Sequence, residues 1–234
     1  MSIDRPRSTH PLARILALGF VAFSLFLSIA TAASEGSANA VRQTFAEYRL
    51  ALLRQDGDAA VEVLSQPTVD YYAAIQQLAV CGSEDEVKGH SFIDRMQVLL
   101  MRLRVPTGEL LTMSGRETLI YAIEQGWVGR SDVASASVGN VTITNGTAVG
   151  QHVVQGQPSE AKFYFVNEGG AWKLDLLPTI QASGKAMSML AKQQNRQEDE
   201  WLFQLVGLVT QRQLTDAAWE PISPRSSQCQ MPSR

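Results

Sequence analysis

Phe163-Tyr164-Phe165-Val166-Asn167-Glu168-Gly169-Gly170-Ala171-Trp172-Lys173-Leu174-Asp175-Leu176 is the stretch that decides the fold. Successive strand residues point to opposite faces, so two alternating runs flanking a glycine turn sort their side chains by face. Setting Val166 opposite Ala171 predicts Phe165 against Trp172 and Phe163 against Leu174 on one face. It also predicts Tyr164 against Lys173 and Lys162 against Asp175 on the other. One face is then aromatic and apolar while the other carries an opposite-charge pair, the pattern of an antiparallel sheet covered on one side only. Helices must pack on the aromatic face.

Upstream, from Val133, Val, Thr, Ile and aromatic residues fill runs of strand length. The runs are separated by Asn145-Gly146, Gly156-Gln157-Pro158 and Asn167-Glu168-Gly169-Gly170, which predicts a four-stranded antiparallel meander. Asn-Gly suits the positive φ values of a type I′ turn. With Thr144 paired to Thr147, Ile143 faces Ala148, Val141 faces Gly150 and His152 lies across from Gly139.

Ahead of the strands the period is helical. Val41, Phe45, Tyr48 and Leu52 mark an amphipathic helix that Asp56-Gly57 closes. Asp58 caps a short second helix through Leu64, Pro67 interrupts, and Val69 to Val80 forms a third helix closed by Gly82. Glu84 to Glu86 begin a polar connection. Ile93, Met96, Leu99, Leu100 and Leu103 mark another helix, stopped by Pro106, whose ring disfavours helical geometry at Val105. Ser114 with Glu117 is a capping-box pattern opening Gly115 to Gln125. Beyond Pro178 the chain returns to helix, with Met187 and Leu190, a polar stretch Gln193 to Glu200, and the apolar run Trp201 to Val209. Residues 179–222 are therefore expected as a C-terminal helical extension.

The ends carry the location. Arg5, Arg7 and Arg14 precede the apolar run Ile15 to Ala30, which ends in Ala30-Thr31-Ala32. That order is a secretory signal peptide over residues 1–32. The run is shorter than the ~20 residues needed to span a bilayer, so no stable membrane anchor is expected after cleavage. The short, Ala-rich leader suits a bacterial source, with the periplasm or medium as destination. Export permits a disulfide between Cys81 and Cys229. Cys229, however, lies in a Pro-, Ser-, Arg- and Gln-rich tail, residues 223–234, that reads as disordered, and the expectation is against the bridge.

The 234 residues are 45% hydrophobic and 18% charged, an ordinary globular composition. Lys and Arg number 20 against 23 Asp and Glu, which offers no electrostatic footing for nucleic acid. Losing Asp4, Arg5, Arg7 and Arg14 with the leader takes the formal charge from −3 to −5. Two Cys and three His, far apart, make no metal cluster, and no cofactor motif is present.

Helices followed by a meander whose last hairpin runs Phe163 to Leu176 resemble the nuclear transport factor 2-like superfamily over roughly Ala38 to Leu177. The first helix, with Phe45, Tyr48 and Leu52 before Gly57-Asp58, is similar to the opening of that fold. The resemblance implies an α+β domain over 33–178: N-terminal helices packed on the concave face of a curved four-stranded antiparallel sheet, with a pocket at its wide end. Tyr48, Tyr72, His152, Phe163, Phe165 and Trp172 are the candidate ligand-binding residues of such a pocket. The superfamily includes isomerases, dehydratases and hydrolases beside domains without chemistry, so the residues must choose.

An isomerase-type site needs a carboxylate base and a hydroxyl donor, for which the ketosteroid isomerase pair is a worked precedent. Asp70, Tyr71, Tyr72, Tyr48, Tyr121 and Asp94 are the candidates. Asp70, Tyr71 and Tyr72 are consecutive on a helix, so at most two reach one cavity, and Asp94 beside Ser91 reads as a helix cap. His152 has no assignable carboxylate partner, and His90 sits in the Lys88-Gly89-His90 loop. Arg95, Arg102 and nearby Arg104 read as a solvated face, and the methionines as core filler. Trp201, Phe203, Leu205 and Leu208 must be covered by the chain itself, a second copy or a partner protein. The expectation is an exported, non-catalytic domain binding an apolar small molecule or a partner protein. The alternatives are a pocket enzyme of the isomerase, dehydratase or hydrolase kind and an assembly partner acting through its C-terminal helix.

Overall fold

A computed structural model of the chain describes residues 35–129, 133–223 and 229. The leader, residues 1–32, and the tail apart from Ser223 and Cys229 lie outside the described residues. Two compact units divide after Ala40. In the first, residues 35–40 are helical; the second begins at Val41 and holds every other described element.

The architecture is α+β: helices first, then a curved four-stranded antiparallel sheet in the order β1-β2-β3-β4, then helices again. Helix α1 (35–54) buries Val41, Phe45, Tyr48 and Leu52, as the 3.6 period demands. It is closed by Gln55 in the left-handed region rather than by a glycine. Gly57 instead begins α2 (Gly57–Glu62), whose cap is Asp56, not Asp58: the Asp56 side chain accepts from the Ala59 N–H at 3.0 Å. Helix α3 (Gln66–Cys81) starts earlier than its apolar pattern implies. Ser65 caps it and Pro67 occupies the first turn, where a missing N–H costs nothing, so the proline begins this helix instead of interrupting the chain. The polar Glu84 stretch is itself helical, α4 (Glu84–Lys88), because Ser83 and Glu86 form a capping box.

Helix α5 (Phe92–Arg104) ends where Pro106 holds Val105 extended. Short α6 (Thr107–Leu110) leads to α7 (Gly115–Glu124), opened by the Ser114–Glu117 box. Gly115 lies so close to α3 that a Cβ there would stand 2.1 Å from the Ala73 Cα. That contact explains a glycine at a helix start. The buried amide of Gln76 donates to the Leu110 and Met113 carbonyls and ties α6 to the same helix.

The strands are β1 (Ala136–Thr144), β2 (Thr147–Val154), β3 (Gln157–Glu168) and β4 (Ala171–Asp175). Thr144↔Thr147, Ile143↔Ala148 and Val141↔Gly150 pair as the Asn-Gly turn predicts. Beyond Val141 the register slips, so His152 faces Val138 and not Gly139. A bulge at Gly139 and Asn140 absorbs the extra residue. The last hairpin differs by two residues. Gly169 and Gly170 both take positive φ, 60° and 91°, so the turn is two residues long and Phe165 pairs with Leu174, Asn167 with Trp172. A shift of two preserves which face each side chain occupies: Phe163, Phe165, Trp172 and Leu174 still share one face. It removes the Lys162–Asp175 pair. Tyr164 opposes Asp175, whose carboxylate accepts from Thr68 Oγ1 at 3.2 Å and from Leu177 N at 3.1 Å.

Helix α1 covers that face. The Phe45 ring lies 4.2 Å from Phe163, and Thr44 Oγ1 donates to the Trp172 carbonyl. Phe165 and Leu174 are each 1% exposed.

Helices α8 (Leu177–Gln193) and α9 (Glu198–Thr210) and a 3-10 turn (Asp216–Trp219) pack back on α5. Their docking corrects the solvated-arginine expectation. Arg95 is buried and paired to both Glu198 and Asp199 at the start of α9. Arg102 donates to the carbonyls of Leu78, Ala79 and Gly82 at the end of α3 and of Ala218 and Trp219 in the 3-10 turn. Burial pulls its pKa down to about 10, which still leaves it charged at neutral pH. Cys81 and Cys229 form a disulfide across a separation of 148 residues, overturning the expectation of unpaired thiols. The Ser223 N–H also bonds to the Val80 carbonyl, so the chain end is brought back to the last turn of α3.

Candidate functional site

The six candidate residues do not line one cavity. Tyr48, 4% exposed, and Phe165 are core. Phe163 is occupied by Phe45, and Trp172 packs half-buried at the edge of the same cluster. The aromatic face of the sheet is therefore filled by α1. His152 sits edge-on to Phe163 at 4.9 Å, and its Nδ1 is 2.7 Å from Ser159 Oγ. Asp70 is exposed and accepts from the Gln66 amide at 2.8 Å. Neither reaches a tyrosine hydroxyl.

The Tyr–carboxylate pair that does exist joins Tyr71 and Asp94. Tyr71 Oη donates to Asp94 Oδ1 at 2.8 Å, while Oδ2 completes the Ser91 capping box. Burial, and then the adjoining carboxylate, push the Tyr71 hydroxyl well above its ordinary value. That favours a neutral donor to a capping carboxylate.

Of the six, Tyr72 lines a cavity, and that cavity lies among helices instead of on the sheet. It measures ≈290 Å³ and is walled by α3, α5, α7 and the segment Trp127–Gly129. Pro106 ends α5 at its rim. The turn after α7 bonds Trp127 N to the Ala122 carbonyl at 3.0 Å and swings the indole back edge-on to Tyr121 at 5.5 Å. Met96, Leu100, Met101, Leu119 and Ala122 supply an apolar wall.

Its polar groups are few: the Tyr72 hydroxyl, Gln97, Thr118 and Arg104. Burial pushes the Tyr72 hydroxyl up to about 12, with hydrogen bonding from Gln97 acting the other way. Tyr48, beside Tyr72, is raised by burial above that range. Thr118 Oγ1 is committed to the Ser114 carbonyl at 3.0 Å. Among the described residues the wall thus holds no group that would be an anionic base at neutral pH.

Three lining groups are invisible to pattern reading. In the sequence Met96 reads as core filler and Arg104 as solvated face, while Trp127 stands in no periodic run. Their approach depends on how α3 holds α5 and α7 about the cavity, which no local spacing encodes. His90 lines a second, more open groove of ≈470 Å³ between the start of α5 and α8, together with Arg95, Lys185 and Lys192.

The apolar run of α9 is largely covered by the chain itself. Leu202 and Val206 are buried, and Phe203 stacks on Trp219 at 5.2 Å. Trp201 lies under the Arg196 guanidinium at 4.6 Å, and Leu205 is half-buried. Leu208 is 78% exposed and Val209 50%. Among the described residues no helix is long and apolar enough to cross a membrane, and no group of three His, Cys, Asp or Glu is placed to hold a metal ion. No family model, curated protein or solved structure matches the chain.

Proposed function

We propose that this chain is an exported, non-catalytic domain of the nuclear transport factor 2-like kind that holds an apolar small molecule in the cavity between α3, α5 and α7. The observation that carries the reading is the cavity's make-up: ≈290 Å³, walled mainly by Met, Leu, Ala and Trp side chains. Ligand sites of roughly 300–1,000 Å³ are concave, mostly apolar and furnished with a few polar groups. The basic and apolar leader supports export, and helices followed by a curved four-stranded meander support the family. An enzyme would need an acid–base pair facing the cavity. Tyr71 and Asp94 are engaged in a helix cap, and His152 has a serine for its partner.

Native mass spectrometry of the protein from its own host's exported fraction, followed by denaturation, tests the reading. A released apolar compound at one per chain is expected, and Ala122→Phe, which fills the cavity, should abolish it while the protein stays folded. Leu100→Phe serves if that variant does not fold. A bare wild-type chain that also takes up no apolar probe in vitro would sink the reading.

The exposure of Leu208 and Val209 favours a second reading, association with another copy or a partner protein through α9. Trp201, Phe203, Leu205 and Leu208 would be its contact residues. A sedimentation weight of a dimer that Leu208→Glu returns to monomer supports it, and a monomer at high concentration removes the self-association form.

A further inference from the structure

Arg104 is the one charged side chain among the described residues lining the cavity, whose wall holds no Asp, Glu, Lys or His. Its guanidinium carbon lies 5.2 Å from the centre of the Trp127 ring, and Nη2 donates to the Val209 carbonyl at 3.0 Å. Among the described residues it has no carboxylate partner. The neighbouring arginines differ. Arg95 has Glu198 and Asp199, Arg116 has Glu62, and Arg102 spends its fork on backbone carbonyls. A guanidinium carries five N–H donors in a planar fork suited to two carboxylate oxygens. Partial burial draws the Arg104 pKa down, the sign of a cation that has lost water without gaining a counter-ion. The last turn of a helix tolerates a cation because of the dipole. That accounts for a charge at this position, not for one lining an apolar cavity that has no acid among the described residues.

We infer that the ligand of this pocket is a small amphiphile, an apolar body with a single carboxylate, its body against Met96, Leu100 and Leu119 and its carboxylate on Arg104. The inference rests on the pocket reading above and narrows it to a class. Aliphatic and aromatic monocarboxylates meet the description. Polyanions do not, because among the described residues one cation lines the wall, and neither do cationic amphiphiles.

Titration calorimetry of the disulfide-bonded protein at neutral pH, with octanoate, octan-1-ol and octylamine as probes, tests it. Octanoate should bind about tenfold or more tightly than octanol, as a charge-assisted bond to a partly desolvated guanidinium implies, and octylamine should bind weakest. Arg104→Gln should lower octanoate affinity to that of octanol and leave octanol unchanged, while Arg104→Lys should keep part of the preference. Equal binding of octanoate and octanol by the wild type overturns the inference and leaves the pocket reading standing. So does an Arg104→Gln variant that weakens both alike, which would make Arg104 a packing residue. Should Arg104→Gln not fold, the wild-type order of the three probes decides alone, and octylamine binding as tightly as octanoate refutes the inference. If no probe binds, the inference falls, and the pocket reading falls with it where the exported wild-type chain is also bare.

Discussion

Opening the Cys81–Cys229 bridge should remove a large part of the protein's stability. The two cysteines are 148 residues apart. In the chain-entropy account a loop of that length deprives the unfolded state of about 17 cal/mol/K, or about 5 kcal/mol at 25 °C. Measured bridges more commonly deliver about 2–4 kcal/mol, so a loss of about 3–5 kcal/mol is expected. Against a typical total of about 5–15 kcal/mol that is about a fifth or more. Urea unfolding followed by tryptophan fluorescence, with a slope of about 2 kcal/mol/M, should place the midpoint of the Cys81→Ser/Cys229→Ser variant about 1.5–2.5 M below the oxidised wild type. Reduced wild type should fall at nearly the same midpoint. That agreement separates the loss of the cross-link from any effect of the serines. The slope of the unbridged forms should equal or exceed that of the bridged one, because their unfolded chains are the more expanded. Two titratable thiols in the denatured, unreduced protein would refute the reasoning, and so would midpoints within about 0.3 M of each other.

Three further predictions rest on other contacts. Arg102→Met should cost about 3 kcal/mol or more, because it strips a charged donor from carbonyls of both α3 and the 3-10 turn; Arg102→Lys should recover only part, read as the urea midpoint together with the emission of buried Trp219. Gly115→Ala should destabilise by about 1–3 kcal/mol, the strain against Ala73 outweighing any gain in helix propensity, whereas Gly108→Ala, where nothing lies within 4 Å, should be neutral or mildly stabilising in thermal melts. Stability should fall as pH rises above 10: Tyr48, Tyr71 and Tyr72 keep their protons in the folded chain, with Tyr72 held to about 12, while the unfolded chain ionises near 10. Their raised folded values mean this contribution is complete below pH 10 and is lost through Tyr72's own value, and a flat stability profile from pH 9 to 11.5 would contradict it.

Much of the fold is legible in local chemistry. The Asn145-Gly146 turn sets the β1–β2 pairing as far as the bulge, and Ser114 with Glu117 marks the start of α7, because turn and cap preferences act over two to four residues. Pairing β3 with β4 by a four-residue turn moves every partner by two and leaves every face correct, since face depends only on parity. Beyond that range the signal fades. Arg95 and Arg102 look alike in spacing to solvated residues, and only the return of α9 and the 3-10 turn supplies their acceptors. Cys229 lies in a run of tail composition, yet its partner is 148 residues away. The aromatic sheet face is conspicuous in sequence, but conspicuous aromatic residues mark a packed face as readily as an open one. Phe45 fills this one, and the space opens where α5, α7 and the Trp127 turn fail to close on one another.

The sheet also has a consequence for how copies of this chain meet in a crowded compartment. Its β4 edge is already occupied: Leu64 bridges Leu174 in parallel, with Leu174 N donating to the Val63 carbonyl and Ser65 N to the Leu174 carbonyl. The segment before α3 thus serves as a selvedge, a woven border that leaves no loose row of amides there. On the opposite side, β1 is broken by its bulge, and Arg42 Nε takes the Gly139 carbonyl at that point. Unpaired, regular edges are the templates on which strands of other molecules add. A sheet hemmed on one side and kinked on the other offers a passing chain few consecutive amides to pair with, which favours self-association through side chains over strand addition.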